Sequence, residues 1–187
     1  MQHFRKAVLT DVEAVVELVN MAYRGETSRA GWTAEADILD GLRTSVNEVQ
    51  RLIASENTIV LLCLNDEELL GSICLEKETK NENEQTIVHI GMFVIKPTLQ
   101  AKGLGKNLLA EAEKLAQETW TADKFQMHVI TLRHELIAFY ERRGYLRTGI
   151  LSEFPVNPAI WQPKLDGLQL EMLEKSAHTN QQASLIA

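Results

Sequence analysis

The sequence predicts an α/β fold: one domain built on a mixed sheet. Three observations carry this. Strand-like runs and helical spacings alternate along the chain as strand, helices, three strands, helix, strand, helix and two strands. The length, 187 residues, suits one domain with a substantial core. The composition, 45% hydrophobic and 24% charged, belongs to a folded globular chain and argues against disorder.

Residues 4–8 (FRKAV) read as a short strand. Thr10 stands where an N-cap would, and Glu13 three residues later completes a capping box ahead of VVELVNMAY. A looser stretch follows, RGETSRAGWTAEADILDG, with Thr33 as a second cap. Residues 46–55 (VNEVQRLIAS) have helical spacing. The runs 58–64 (TIVLLCL) and 69–76 (LLGSICLE) are β-rich, and Asn65-Asp66-Glu67-Glu68 between them reads as a hairpin turn. Each run holds one cysteine, Cys63 and Cys74, expected to be reduced core thiols.

The polar tract Lys77–Gln85 reads as a loop. Residues 86–95 (TIVHIGMFVI) give the strongest strand signal, the fourth in order, and Pro97 stops it. Leu104, Leu108, Leu109, Ala112, Leu115 and Ala116 then recur at helical spacing. Residues 125–132 (FQMHVITL) form the fifth strand, and 134–143 (HELIAFYERR) a helix closed by Gly144. Strand-like segments near 145–151 and 168–173 complete the core. The domain is expected over residues 1–175, with a polar tail over 176–187.

A net charge of −7 argues against a nucleic-acid partner held through its phosphates. No apolar run reaches the length of a membrane span, and MQHFRKAVLTD lacks a secretory segment, so a cytoplasmic protein without a membrane partner is expected. No cysteine–histidine spacing suggests a metal site.

The segment Gln100, Ala101, Lys102, Gly103, Leu104, Gly105, Lys106 carries the chemistry. A glycine-rich turn feeding a helix presents unpaired backbone N–H groups at the positive end of the helix dipole, which suits a pyrophosphate. Lys102 and Lys106 add positive charge, and the glycines let a ligand approach the backbone. A Walker A loop fails here, because Gln100 and Asn107 stand where glycine and Ser/Thr are required. A dinucleotide fingerprint fails at Leu108, where a third glycine is needed. Two readings of the turn remain: a phosphate cradle, or glycines that only shape a helix start.

Downstream stands AFYERRGY, residues 138–145. Q-x-x-G-x-G after a fourth strand, followed by a fifth strand and a helix with F-Y-x-x-x-G-Y, resembles the Gcn5-related N-acetyltransferase (GNAT) superfamily. The resemblance covers most of the chain, from FRKAVLTDVEAVVEL to DGLQLEMLEK. It implies an acyl-CoA-dependent N-acyltransferase, acetyl-CoA as co-substrate, and direct attack by the amine of a small molecule or protein.

The resemblance also implies that the fourth and fifth strands splay to admit the pantetheine arm. Phe93, Val94 and Ile95 would then lie along that arm, and the amides from Ala101 to Lys106 would hold the pyrophosphate. Tyr140 would sit near the thioester sulfur and protonate the leaving thiolate. His128, mid-strand where some protein N-terminal acetyltransferases carry a glutamate base, is the candidate base; His89 is the second, and a water chain the third. Many members carry asparagine where Arg133 stands, seven residues before Tyr140. Arg133 could contact a coenzyme phosphate or pair with Glu135 or Glu171.

In the family, the first helices and their loop usually wall the acceptor pocket, here Tyr23 to Asp40. Tyr23, Arg24, Glu26, Arg29, Trp32, Glu35 and Asp37 fall there, with Glu35 and Asp37 as acids that could attract an amine. The second wall is expected from LSEFPVNPAIWQPKLDG, whose Phe154, Pro155 and Trp161 could line a pocket or a homodimer contact. The competing reading is a coenzyme A-binding sensor or assembly module without catalysis.

Overall fold

A computed structural model describes residues 1–24, 35, 37–78 and 84–178. The elements are β1 (Gln2–Lys6), α1 (Val12–Tyr23), β2 (Leu39–Gly41), α2 (Val46–Ala54), β3 (Thr58–Asn65), β4 (Glu68–Glu78) and β5 (Ile87–Ile95). They continue with α3 (Leu104–Trp120), β6 (Lys124–Ile130), α4 (His134–Glu141), β7 (Leu146–Glu153), β8 (Trp161–Pro163) and β9 (Gln169–Ser176). Seven strands form one sheet in the order β1-β3-β4-β5-β6-β9-β7, and β2 pairs with β8 in a separate ribbon. With the short β2 counted, the expected fourth and fifth strands are β5 and β6. Their pairing is parallel, while the other ladders are antiparallel.

The central strands β3, β4 and β5 are buried on both faces, which is why they read as nearly continuous apolar runs. On β3, Ile59, Leu61 and Cys63 join one hydrophobic cluster, and Val60, Leu62 and Leu64 join the other. The first cluster is closed by α3 through Leu108, Leu109, Ala112 and Ala116. The second is closed by α1 through Val12, Val15, Leu18, Val19 and Ala22, and by Val49 of α2. Truncating a fully enclosed residue such as Leu108 to alanine costs about 2–5 kcal/mol.

Three local expectations change. The α1 helix starts at Val12 behind a 3-10 turn over Leu9–Asp11, so Thr10 is not its cap. Asp11 is the anchor instead, accepting the Val8 N–H at 2.8 Å and pairing with Arg5 at 2.7 Å. That guanidinium and the Val8 amide hold the Asp11 carboxyl below the ordinary carboxylate range. A carboxylate with a cation and an amide to satisfy outcompetes a neutral hydroxyl for the turn. The β3–β4 hairpin is tighter than expected, since Asn65 pairs with Glu68 and Asp66 takes a left-handed φ of +52. At the other end, Ser176 still pairs with Lys124, and the Ala177 amide donates to the Asp123 carbonyl, so the sheet enters the expected tail.

Cys63 and Cys74 are buried free thiols. They are not paired across the hairpin, because Cys63 faces Gly71 and Cys74 faces Val60. The Thr33 cap and the pocket candidates Glu26, Arg29 and Trp32 lie outside the described residues. Among the described residues, no helix is long and apolar enough to cross a membrane.

Candidate active site

The cleft begins where β5 leaves β6. These strands pair only over Ile87–His89 with Lys124–Gln126. Beyond that point, the β6-facing edge of β5 is no longer paired with β6, and a ladder's worth of polar backbone groups is available to a ligand. The register of β5 against β4 also slips between Ser72 and Cys74, placing Met92 and Phe93 opposite the single residue Ile73. Met92 takes a φ of +42 in this bulge. A bulge bends a strand and re-aims its groups, so the divergence is built into the backbone. The Phe93 carbonyl accepts a hydrogen bond from the Tyr23 hydroxyl at 3.0 Å. Gly71 on β4 has no space for a side chain, since a Cβ there would lie 2.4 Å from the Ile95 Cδ1 and 2.7 Å from the Val94 carbonyl.

At the end of β5, the chain passes through a 3-10 turn over Pro97–Leu99 into the glycine loop. The Gln100 side-chain amide donates to the Ile95 carbonyl at 3.1 Å, tying the loop to the strand end. Ala101 and Gly103 both adopt left-handed conformations, with φ +63 and +81. Gly103 is the N-cap of α3. The first intrahelical bond runs from the Asn107 amide to the Gly103 carbonyl at 3.1 Å. The amides of Leu104, Gly105 and Lys106 therefore precede the helical ladder and sit at the positive end of a helix reaching Trp120.

This loop opens on a cleft of about 610 Å³. Its walls come from β5 (Phe93, Ile95), from the loop (Gln100, Ala101, Gly103, Gly105, Lys106) and from α4. Glu135, Leu136, Ala138 and Phe139 supply the α4 wall at helical spacing, and Arg142 and Arg143 extend it from the turn after the helix. Gly105 lies on the cleft between the Phe93 and Phe139 rings, where a Cβ would sit in ordinary contact with them at 3.5 and 3.8 Å. Arg143 lies over the Phe139 ring, 3.4 Å from its centroid, which brings a cation to the cleft wall.

A second cavity of about 430 Å³ lies on the other side of Phe93 and Leu136, which line both. Tyr140, His128 and His89 line it. The Tyr140 ring packs edge-on against Phe139 at 5.3 Å and Tyr145 at 5.8 Å between centroids. Burial pushes its phenol well above the ordinary tyrosine value, with the nearby Tyr23 adding to the rise. Such a group stays protonated at neutral pH and can donate a proton. His128 is exposed to the cavity. Partial burial lowers its pKa below the ordinary value, and the neighbouring His89 lowers it further. His89 instead contacts Glu78 through Nε2 at 2.8 Å.

The cavity's outer walls come from the two expected segments, and β2 and β8 join them. Leu39, Asp40 and Gly41 pair with Pro163, Gln162 and Trp161. Gly41 has a φ of +92, and a Cβ on it would lie 2.1 Å from the Ile160 carbonyl, so the ribbon closes only on glycine. The Trp161 indole donates to the Pro155 carbonyl at 2.9 Å, setting Trp161, Pro155 and Phe154 along one wall.

The structure thus gathers Phe93, Ile95, Gln100, Ala101, Gly103, Gly105 and Lys106 on one cleft, and Tyr140, His128 and His89 on the next cavity. Val94 points away, into the cluster beneath α1 and α2, because alternate strand residues face opposite sides. Lys102 is an exposed loop residue, and neither it nor Leu104 lines the cleft. Arg133 lines the second cavity, buried, with its Nη1 3.7 Å from Glu35. Its ionic partner is not Glu135 or Glu171; Glu171 pairs with Arg147. Sequence reasoning missed Arg43 and Glu76 on the second cavity, and Arg142 and Arg143 on the first. These two arginines, directly after α4, were legible as a continuation of its helical pattern. No local signal marks Arg43 or Glu76, which reach the cavity only through the fold.

A family model for the acetyltransferase (GNAT) family matches residues 13–145, well over half of the chain. No curated protein sequence matches. Among solved structures, smu.2055 from Streptococcus mutans UA159 superposes with a TM-score of 0.69 at 17% identity, covering 94% of this chain and 99% of that one. A GNAT-family acetyltransferase from Streptococcus pneumoniae gives 0.67 at 18% identity, covering 94% and 99%. Arabidopsis thaliana NAA60 in complex with acetyl-CoA gives 0.68 at 15% identity, covering 94% and 98%. At such identities these neighbours show a shared fold. With the family model spanning α1 through α4 and the fold agreeing, the chain belongs to the acetyltransferase (GNAT) family.

Proposed function

We propose that this protein is an N-acetyltransferase that moves an acetyl group from acetyl-CoA to an amine by direct attack. The observation that carries it is the meeting of two cavities at Phe93 and Leu136, one ending on the glycine loop and the other holding Tyr140 and His128. The first has the form for the coenzyme: its pyrophosphate on the amides of residues 101–106, its pantetheine arm along the unpaired edge of β5. Family membership and the acetyl-CoA complex of Arabidopsis thaliana NAA60 support that choice of donor.

The acceptor amine enters from the second cavity. An amine with a pKa of about 10.4 is mostly protonated at neutral pH and must lose its proton before it can attack. Neutral His128 accepts that proton. The nitrogen then adds to the thioester carbonyl, and a backbone N–H of the β5 bulge stabilises the developing oxyanion. The C–S bond breaks, and Tyr140 protonates the departing thiolate.

The test is thiol release from acetyl-CoA in the presence of a panel of amines. Amine-dependent release above background hydrolysis is the expected result. Bound coenzyme with no amine-stimulated release would leave a coenzyme A-binding module in place of the enzyme.

A further inference from the structure

Gly91 stands in the middle of β5, where a glycine weakens the strand and calls for a reason. The two ordinary reasons fail. Its φ lies outside the left-handed region, and a Cβ built on it meets nothing within 4 Å. Each other described glycine has a positive φ or a neighbour within that distance. The bulge of β5 does not account for it either. Gly91 still pairs with Cys74, and the slip falls on Met92 and Phe93. What remains is the close approach of a ligand to bare backbone, and Gly91 lines the second cavity.

Register shows what shares that space. His89 and Gln126 form the last rung between β5 and β6. Neither strand slips over the next two residues. Residues 89–91 stay in step with 76–74 of β4, and 126–128 with 174–172 of β9. Side chains alternate along a strand, so Gly91 and His128 both belong to the face of that last rung. They stand two residues beyond it, one on each strand, where β5 and β6 have stopped pairing. Both line the second cavity, as Tyr140 does. A side chain at position 91 would project into the space that His128 faces.

We propose that Gly91 sets the size of the acceptor: the body of the amine lies on the bare backbone here while its nitrogen reaches His128. The inference rests on the acetyl-transfer reading and names a residue that selects among amines. Gly91 plays no part in holding the coenzyme, whose cleft takes Phe93 and Ile95 from β5 and not Gly91. Its role is steric. With only a hydrogen at this position, an amine borne on a bulky group can lie against the strand. A methyl or isopropyl group would hold that body away from His128. An amine as small as methylamine has no body to displace, so it gains nothing from the glycine.

Gly91→Ala and Gly91→Val test this by thiol release from acetyl-CoA. The amines are graded in size, from methylamine through phenethylamine to the N-terminus of a short peptide. For the bulky amines, kcat/KM should fall about tenfold in Gly91→Ala, the worth of one methyl group in a pocket, and further in Gly91→Val. The loss should sit in KM and shrink for methylamine, with acetyl-CoA affinity by calorimetry unmoved. The melting temperature of Gly91→Ala should hold or rise, since alanine at an unstrained glycine position restricts the unfolded chain. Equal losses at every size, or none at any, overturn the size assignment and leave the transferase standing. Lower melting temperature or coenzyme affinity accompanying the lost activity in both variants makes Gly91 a structural requirement of β5, and overturns it too. Bound acetyl-CoA with no amine turned over overturns the transfer reading, and the acceptor assignment with it.

Discussion

The Tyr23 hydroxyl donates to the Phe93 carbonyl at 3.0 Å, fastening the last residue of α1 to the bulge of β5. The bond joins the acceptor side of the site to the strand along which the coenzyme arm is proposed to lie. Burial raises the Tyr23 phenol above its ordinary value, so the hydroxyl keeps its proton and remains a donor. Tyr23→Phe removes the bond and leaves the ring. Chemical denaturation should show a loss of about 0.5–1.5 kcal/mol, and kcat/KM should fall as the bulge loosens. Unchanged activity would mean that the bulge needs no such pin.

Tyr140→Phe tests the proton donor. The ring contacts with Phe93, Phe139 and Tyr145 survive the change, so the fold should hold. Turnover should drop roughly 100-fold, the lower bound usual for a general acid, with acetyl-CoA affinity retained. Equal turnover would remove Tyr140 from the chemistry.

The pH profile tests His128. Its pKa lies below the ordinary histidine value because burial and His89 both disfavour the cation. A base works only when neutral, so kcat/KM should rise as pH climbs through this lowered value and be free of that limb by neutral pH. His128→Gln should erase the acid limb and lower the plateau. A limb that persists in the variant would assign the titration to another group.

Gly103 holds φ +81 with open space where a Cβ would go, so substitution there acts through the backbone and not through a clash. A β-branched residue resists the left-handed region by about 1–2 kcal/mol. Gly103→Val should weaken acetyl-CoA binding roughly tenfold by calorimetry, as the loop amides turn away from the phosphates. Unaltered affinity would displace the pyrophosphate from this loop.

Gly41→Ala attacks the other side of the site. Its Cβ would meet the Ile160 carbonyl at 2.1 Å, forcing β2 and β8 apart. The acceptor KM should rise while acetyl-CoA affinity stays within error, because the ribbon borders only the second cavity. A matching loss of coenzyme affinity would contradict that separation.

Local physics wrote much of this molecule into its sequence. The apolar runs 58–64 and 86–95 had to be central strands, since only a sheet covered on both faces hides such residues. Glycines before a long amphipathic helix fixed the turn at Gln100–Lys106, because left-handed backbone and free helix amides depend on neighbours in the chain. AFYERRGY likewise set Tyr140 on a helix of defined phase. What only the tertiary structure decided is pairing between distant segments. Arg133 meets Glu35, not Glu135 or Glu171, because the fold brings Glu35 beside the start of α4. The β2–β8 ribbon and the approach of Arg43 to Tyr23 are equally invisible locally. Ion pairs and short ribbons carry no periodic signature, and their partners are chosen by where the sheet delivers each loop. The proposed donor site is thus local and legible, while the proposed acceptor site exists only once the chain has closed on itself.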